Sequence, residues 1–318
     1  MATDTSLESR SHARSDRLRR IREIGFDYAA QEKEAVAACD LCGAGVWKLL
    51  AERDRYGFPA TATACRACGL AMLNPRMTAS AYAMFYRDVY RPLVSAYHGR
   101  IINSMTIQAE QAAYAKQIAA VLSPLVRNRA YTNLLDVGGS TGVVAAHLSR
   151  AFRLAATLID PAPAEADVAV SLGLKTIVGF VEDWSPEETF DVIGMFQTID
   201  HLMKARATLE KLRTVVNPKG LLAVDIVDFR SAYRRSGSVE EAIKVDHVYS
   251  FTEMTAEALL ARCGFAPVLR HQNPDLLHVF YVCEPCRPDP LARPAAGEVS
   301  KFFSEVESLR DFSVRLAS

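Results

Sequence analysis

The sequence predicts an α/β protein, an open and mostly parallel sheet with helices on both faces, preceded by a small cysteine-rich module. Three observations lead there. From Tyr131 onward, short apolar runs alternate with helical patterns, the signature of a parallel sheet covered on both sides. Three glycines interrupt "LLDVGGSTGVVAAHL" between its apolar run and its amphipathic continuation. Two C-x-x-C-G knuckles, Cys39 with Cys42 and Cys65 with Cys68, stand ahead of all this.

Taken in chain order, residues 1–38 are a polar segment with basic residues from Arg10 to Arg22. Leu18, Ile21 and Tyr28 offer it only a thin apolar stripe, so the segment reads as a solvated or frayed helix. Residues 39–75 hold the cysteine knuckles, with 22 residues between the pairs. Four thiolates at this spacing make a closed tetrahedral zinc set, and the glycine after each pair allows the tight turn. Such a set leaves no open coordination position, so a metal there holds a fold together.

Residues 76–129 form a helical linker or lid. Ile101, Met105, Ala109, Ala112, Ala119, Leu122 and Val126 recur near the helical period, predicting one helix over residues 98–126. Residues 130–284 carry five strands, "YTNLLDV", "RLAATLID", "LKTIVGF", "FDVIGMF" and "GLLAVDIV", with helices between them. A polar loop follows, then a helix in "FTEMTAEALLARCGF", and then "APVLRHQ" and "HVFYVCE" as an antiparallel pair at one edge. Residues 285–318 are a proline-rich linker and a helix carrying Val299, Phe302, Val306, Leu309 and Leu316, expected to pack back on the body.

Composition narrows the classes. Lys+Arg and Asp+Glu both number 37 in 318 residues, so no net field favours nucleic acid or an anionic membrane. No apolar run approaches the roughly 20 residues of a membrane span, and the polar start carries no secretory signal. The expectation is a cytoplasmic protein whose seven cysteines meet a reducing environment, where paired spacing suggests metal more than disulfide. Cys283 and Cys286 read as ordinary thiols.

In a parallel sheet, ligands bind beyond the carboxyl ends of the strands, where strand order reverses. Asp136, Gly138, Ser140 and Gly142 mark the first such end, and Asp160, 24 residues after Asp136, marks the second. A carboxylate at that second end can accept two hydrogen bonds from a ribose diol. Neither a P-loop nor a complete G-x-G-x-x-G is present, although a Rossmann-like domain for another nucleotide is compatible with the same pattern.

The D-x-G-x-x-x-G turn, the acid ending strand two, "FDVIGMFQTIDHL" and "NPKGLLAVDI" together resemble the class I S-adenosylmethionine-dependent methyltransferases over roughly residues 130–283. The resemblance implies a Rossmann-like seven-stranded sheet with its last strand antiparallel. It places Asp136, Gly138, Ser140 and Gly142 at the methionine end of the cofactor and Asp160 on the ribose. Phe180, Val181 and Glu182 then flank the adenine. Ser140 stands where many members have glycine.

Together with "CDLCG…RDRYGFPATATACRACGLAMLNPR…FYRDVYR", that domain is similar to C-methyltransferases of nucleotide-linked deoxysugars, which carry a zinc-binding amino-terminal region. The resemblance implies a small-molecule partner, a nucleotide-linked sugar or related glycan or antibiotic precursor. Members of that group are longer, with a further carboxy-terminal domain. They carry a Glu-His pair where this chain has Asp246-His247, and a substrate-facing histidine at the position of His201. These three are the candidate catalytic residues, with His247 the expected base, oriented or assisted by Asp246, and His201 next in line, a histidine being the base most readily tuned near neutral pH. Tyr90 is placed within reach of the site, with packing its simpler role. An O- or N-methyltransferase of another small molecule, an RNA methyltransferase and a cofactor-binding protein without catalysis are the competing readings.

Overall fold

The computed structural model describes residues 4–317, with side chains from 13 to 309. The amino-terminal region contains α1 (Asp4–Arg22), β1 (Lys33–Glu34), β2 (Trp47–Ala51), β3 (Ala62–Cys65), β4 (Ala71–Leu73), β5 (Arg76–Met77), α2 (Ala79–Met84), a widened turn of π-helix at Phe85–Val89, and α3 (Tyr90–His98). After α4 (Gln108–Val126) come β6 (Asn133–Val137), α5 (Val143–Phe152), β7 (Ala155–Asp160), α6 (Pro163–Ser171), β8 (Lys175–Val178) and β9 (Phe190–Met195). The chain continues through α7 (Ala205–Val215), β10 (Val216–Val227), α8 (Phe229–Ser236), β11 (Tyr249–Ser250), α9 (Glu253–Arg262), β12 (Phe265–Gln272), β13 (His278–Pro285) and α10 (Ala296–Ala317).

Seven strands form the main sheet in the order β12-β13-β10-β9-β6-β7-β8. β10, β9, β6, β7 and β8 are parallel, while β13 runs antiparallel to both β10 and β12. Strand order reverses at β6, because the chain builds outward to β7 and β8 on one side and to β9 and β10 on the other. Alternate residues of the central strands enter two cores. Leu134, Val192 and Ala223 join α4 and α5, whereas Leu135, Ile193 and Leu222 join the larger core beneath α7 and α9. Both faces being buried explains why these strands read as continuous apolar runs.

The larger core continues without a break into the cysteine module. There β2, β3 and β4 form an antiparallel sheet, and β11, from the segment after β10, adds a fourth strand by pairing Tyr249 with Met72 and Ser250 with Ala71. The amino-terminal module and the carboxyl end of the main sheet are therefore knitted by backbone.

Several expectations need correction. The helix expected over residues 98–126 is interrupted. Gly99, at φ 68°, ends α3 in a left-handed cap, and α4 starts only at Gln108. Ile101 and Met105, assigned to its apolar stripe, are each 72% exposed, and the buried face is Ala115, Ile118, Leu122 and Val126. The expected polar loop after β10 begins with α8, where Phe229 and Tyr233 turn one face inward. Helix α1 is docked, not solvated. Arg20 Nε donates to the Ala96 carbonyl at 2.8 Å, and the Arg17 guanidinium lies 4.4 Å over the Tyr97 ring. Ile21 and Tyr28 are buried, Tyr28 beyond the helix end. The side chain of Arg10 lies outside the described residues, as does that of Leu316. Helix α10 packs on the body as expected, with Val299, Phe302 and Val306 buried.

Candidate active site

At the point of strand reversal, a cleft of about 370 Å³ opens beside the glycine turn. The turn has no room for side chains at its glycines. A Cβ on Gly138 would meet Thr198 at 2.5 Å, and one on Gly142, at φ +74°, would meet Leu174 at 2.6 Å. Ser140 takes a positive φ of 51° without being glycine. Its N–H donates to Asp160 at 2.8 Å, which secures that strained conformation.

All eight residues assigned to cofactor binding from the sequence lie here or in the turn itself. Asp136, Gly138, Ser140, Asp160, Phe180, Val181 and Glu182 line the cleft, and Gly142 opens α5 behind it. Asp136 is fully buried with both carboxylate oxygens unpartnered. Burial, then the neighbouring Asp160, raises its pKa to about 7. An orphaned buried carboxylate of this kind calls for a cationic or hydrogen-bonding ligand. Burial also raises Asp160 to about 6, against the N–H groups of Ala162 and Ser140. Glu182 accepts the Met203 N–H at 2.9 Å. Lys211 Nζ ties down the Val181, Glu182 and Trp184 carbonyls.

The far wall comes from the segment before α4. Tyr82, Tyr86 and Tyr90 follow one another at helical spacing, and all three line the cleft. The π-turn at Phe85–Val89 shifts the register there, as such turns do at functional sites. Arg91 closes the wall, bonding Glu165 at 2.9 Å and Ser140 Oγ at 3.2 Å.

Behind this cleft lies a second, more polar cavity of about 210 Å³, lined by Arg55, Tyr97, Asp200, Lys244, Asp246 and His247 among others. Tyr90, Gln197 and His201 line both spaces and form their junction. His201 sits on a short 3₁₀ turn after β9. Its Nδ1 lies 2.7 Å from the Asp246 carbonyl and 2.9 Å from Tyr86 Oη. A carbonyl can only accept, so Nδ1 carries the hydrogen and Nε2 keeps its lone pair. His247 is engaged at both nitrogens. Nδ1 is 3.4 Å from Asp200 Oδ2, and Nε2 is 3.2 Å from Lys244 Nζ and 3.7 Å from Asp246 Oδ2. Burial lowers both histidine pKa values, that of His247 well below the usual range. The structure thus brings His201, Asp246 and His247 together, but only His201 of the three faces the first cleft.

Sequence reasoning missed Gln197, Asp225, Tyr114 and Lys244. Gln197 holds a left-handed φ of 54° because the buried Asp225 accepts its N–H at 2.6 Å, while Tyr114 Oη donates to the same carboxylate at 2.7 Å. Asp225 was visible in principle, as an acid inside the apolar run "LLAVDIV". The tyrosines at 82, 86 and 90 were legible as a spacing of four, of which only Tyr90 drew notice.

The four module cysteines also converge. Their sulfur atoms lie within 4.8 Å of one another, with Cys39–Cys68 and Cys42–Cys65 each at 3.5 Å. Gly43 and Gly69, both at φ 78°, return their N–H groups to Cys39 and Cys65 at 2.7 and 2.8 Å. Hydrogen bonds from Cys39 and Cys68 hold the Cys65 thiol well below the usual thiol range. Four converging sulfurs fit a tetrahedral thiophilic ion.

A seven-stranded sheet of this order, with a glycine turn and an acid at its reversal point, defines an S-adenosylmethionine-dependent methyltransferase of class I. The family model described as "Methyltransferase domain" matches residues 107–270, just over half of the chain, and the protein belongs to that family. No curated protein matches the sequence. Among solved structures, the chain is similar to an S-adenosylmethionine-dependent methyltransferase from Clostridium acetobutylicum, with 11% identity, 57% of this chain and 92% of that one covered, and a TM-score of 0.46. It is similar to DesVI of Streptomyces venezuelae at 18% identity, covering 56% and 92%, with a TM-score of 0.44. It is also similar to the N-methyltransferase NodS of Bradyrhizobium japonicum, in complex with S-adenosyl-L-homocysteine, at 17% identity, covering 56% and 86%, with a TM-score of 0.42. No described helix is long and apolar enough to cross a membrane.

Proposed function

We propose that the protein methylates a small polar acceptor, a nucleotide-linked sugar or related precursor, at carbon beside a ketone. The observation that supports this most is the junction of the two cavities, where His201 presents an unprotonated nitrogen between the cleft and a polar acceptor-sized space. S-adenosylmethionine, when bound, supplies the electrophilic methyl group. Asp136, Gly138, Ser140 and Gly142 would hold its methionine end, Asp160 its ribose, and Phe180, Val181 and Glu182 its adenine. His201 removes the proton from the acceptor carbon, and Asp246 and His247 hold the surrounding charge and orientation. Removing a proton first is obligatory for carbon next to a ketone, since only the enolate is a nucleophile. Zinc on Cys39, Cys42, Cys65 and Cys68 would be structural.

The test uses a 4-keto-6-deoxyhexose linked to thymidine diphosphate. With S-adenosylhomocysteine bound and deuterated water as solvent, the ring proton beside the ketone should exchange, and with labelled cofactor the methyl group should appear on carbon. A hydroxyl acceptor becomes the better reading if no such ketone exchanges or reacts while a sugar hydroxyl is methylated.

Two binding experiments test the cofactor assignment. Asp160→Ala should weaken S-adenosylhomocysteine ten-fold or more by calorimetry, because hydrogen bonds to a charged group are worth about 1.5–3 kcal/mol each. Equal affinity in the variant would reject the residue. The second concerns pH. With its pKa raised to about 7, Asp136 in the free protein is mostly protonated at pH 6 and mostly ionised at pH 8. A ligand ammonium that selects the carboxylate should therefore bind about ten-fold more tightly at pH 8 than at pH 6. Asp136→Asn should flatten that dependence, and an unchanged slope in the variant would assign the proton to another group.

A further inference from the structure

The second cavity contains two cationic side chains that pair with no carboxylate. Arg55 reaches it from the turn between β2 and β3. Its guanidinium lies 4.1 Å over the Tyr97 ring and bonds Tyr97 Oη, and its buried Nε has no hydrogen-bond partner. Lys244 reaches it from the segment before β11, and its Nζ has His247 Nε2 as its hydrogen-bonding neighbour at 3.2 Å. Neither cation lies within 4 Å of an acid among the described ion pairs, whereas Arg91, which lines the first cleft, is paired to Glu165.

The acids of the cavity do not neutralise them. Burial raises the Asp200 pKa to about 8 and lowers that of Lys244, each shift opposed by the attraction between the two, so Asp200 is only a weak counter-charge at neutral pH. Asp225 spends its oxygens on Tyr114 and Gln197. His278 is taken by Asp275. Asp246 is left as the one facing carboxylate among the described lining residues, against two cations. Half-buried cations are costly to desolvate without a partner. Arg55 is also held in place. Arg55 N–H donates to the Ile243 carbonyl at 2.9 Å, and Arg17, itself 3.7 Å from Glu241, covers the Tyr97 ring as well.

We propose that Arg55 and Lys244 form an oxyanion-binding site in the acceptor cavity, and that the acceptor carries a phosphate or carboxylate seated between them. This rests on the reading of the second cavity as the acceptor space. The diphosphate of a nucleotide-linked sugar and a carboxylate on the acceptor itself are two sources of the same chemistry. Arg55 belongs to the cysteine module, so that module supplies acceptor recognition as well as support.

The experiment titrates protein loaded with S-adenosylhomocysteine with thymidine diphosphate, inorganic phosphate and acetate in turn. Calorimetry gives the affinity, and the imidazole resonances of isotopically labelled His201 and His247 report whether the anion sits in this cavity. At least one probe should shift the His247 signals, and Arg55→Gln and Lys244→Gln should each weaken it ten-fold or more. Arg55→Lys should recover part of the loss. S-adenosylhomocysteine affinity should stay within about two-fold in every variant, which confirms the fold. Preference for thymidine diphosphate identifies the linked nucleotide as the source, and preference for acetate identifies an acceptor carboxylate. The proposal is overturned if no probe moves the His247 signals, or if the glutamine variants bind as wild type does. Anion binding that persists while no ketone exchanges its proton leaves this site standing and removes the carbon-methylation reading instead.

Discussion

Cys65→Ser should bind the cofactor and fail to methylate. The reason lies in what the cysteine module touches. Asp40, between the first two cysteines, accepts the Tyr249 hydroxyl and the Arg206 N–H, both at 2.9 Å. β4 pairs with β11, and Leu73 N–H donates to Val248 at 3.0 Å. The buried Asp54 accepts the Val245 N–H at 2.9 Å. The segment from 243 to 250, which carries Lys244, Asp246 and His247 of the inner cavity, is thus tied to the module through their neighbours Val245, Val248, Tyr249 and Ser250. Structural zinc contributes about 10–16 kcal/mol in isolated finger peptides, as much as the whole stability of a typical domain. Removing one thiolate should release the metal, strip hydrogen-exchange protection from residues 47–73 and from 243–250, and lower methyl transfer more than 100-fold, the scale of losing a positioned base. No residue from 39 to 75 lines the cofactor cleft, and Val144 and Phe196 of its wall belong to the smaller core, which contains no module residue, so S-adenosylhomocysteine affinity should change by less than about three-fold. A zinc-free variant that keeps its exchange protection would refute the coupling.

That coupling was invisible in the sequence, whereas the sheet was not. Strands such as "FDVIGMF" declare themselves because both faces are buried and the run is apolar apart from Asp191 near its start. Gly138 and Gly142 were legible because a turn crowded by Thr198 and Leu174 tolerates nothing larger. β11 is only two residues long and becomes a strand because β4, nearly 180 positions earlier, offers it an edge. No local pattern encodes such a pairing. The same holds for Asp246 and His247. Their adjacency in sequence suggested a carboxylate holding a histidine, but the closer contact is the backbone carbonyl of Asp246 with His201. Helix α1 misled for a related reason, since Arg17 over Tyr97 and Arg20 on the Ala96 carbonyl dock it as well as the buried Ile21 does.

His201→Asn should abolish proton exchange at the acceptor carbon while His247→Asn slows it less. A base needs an unshared pair aimed at the substrate. The Asp246 carbonyl fixes the His201 hydrogen on Nδ1, and Tyr86 Oη braces the same nitrogen. Asparagine can keep that donor through its amide while removing Nε2, so the variant deletes the base and spares the scaffold. The expected loss is about 100-fold or more, the scale of general-base catalysis. His247 lies with its ring 4.6 Å from that of His201 and has both nitrogens occupied. Its removal disturbs orientation and the local field, for which about ten-fold is the corresponding expectation. The pH profile gives an independent check. Burial lowers the His201 pKa from that of a free imidazole, so the neutral base persists to more acidic pH than it would in solution. Exchange should stay level from pH 8 toward neutrality and decline only at a lower pH than a free imidazole would show, when the ring takes up its proton. Should His201→Asn exchange at the wild-type rate while His247→Asn is inert, the lone pair that matters is on His247, and Lys244 must yield its Nε2 when the acceptor binds.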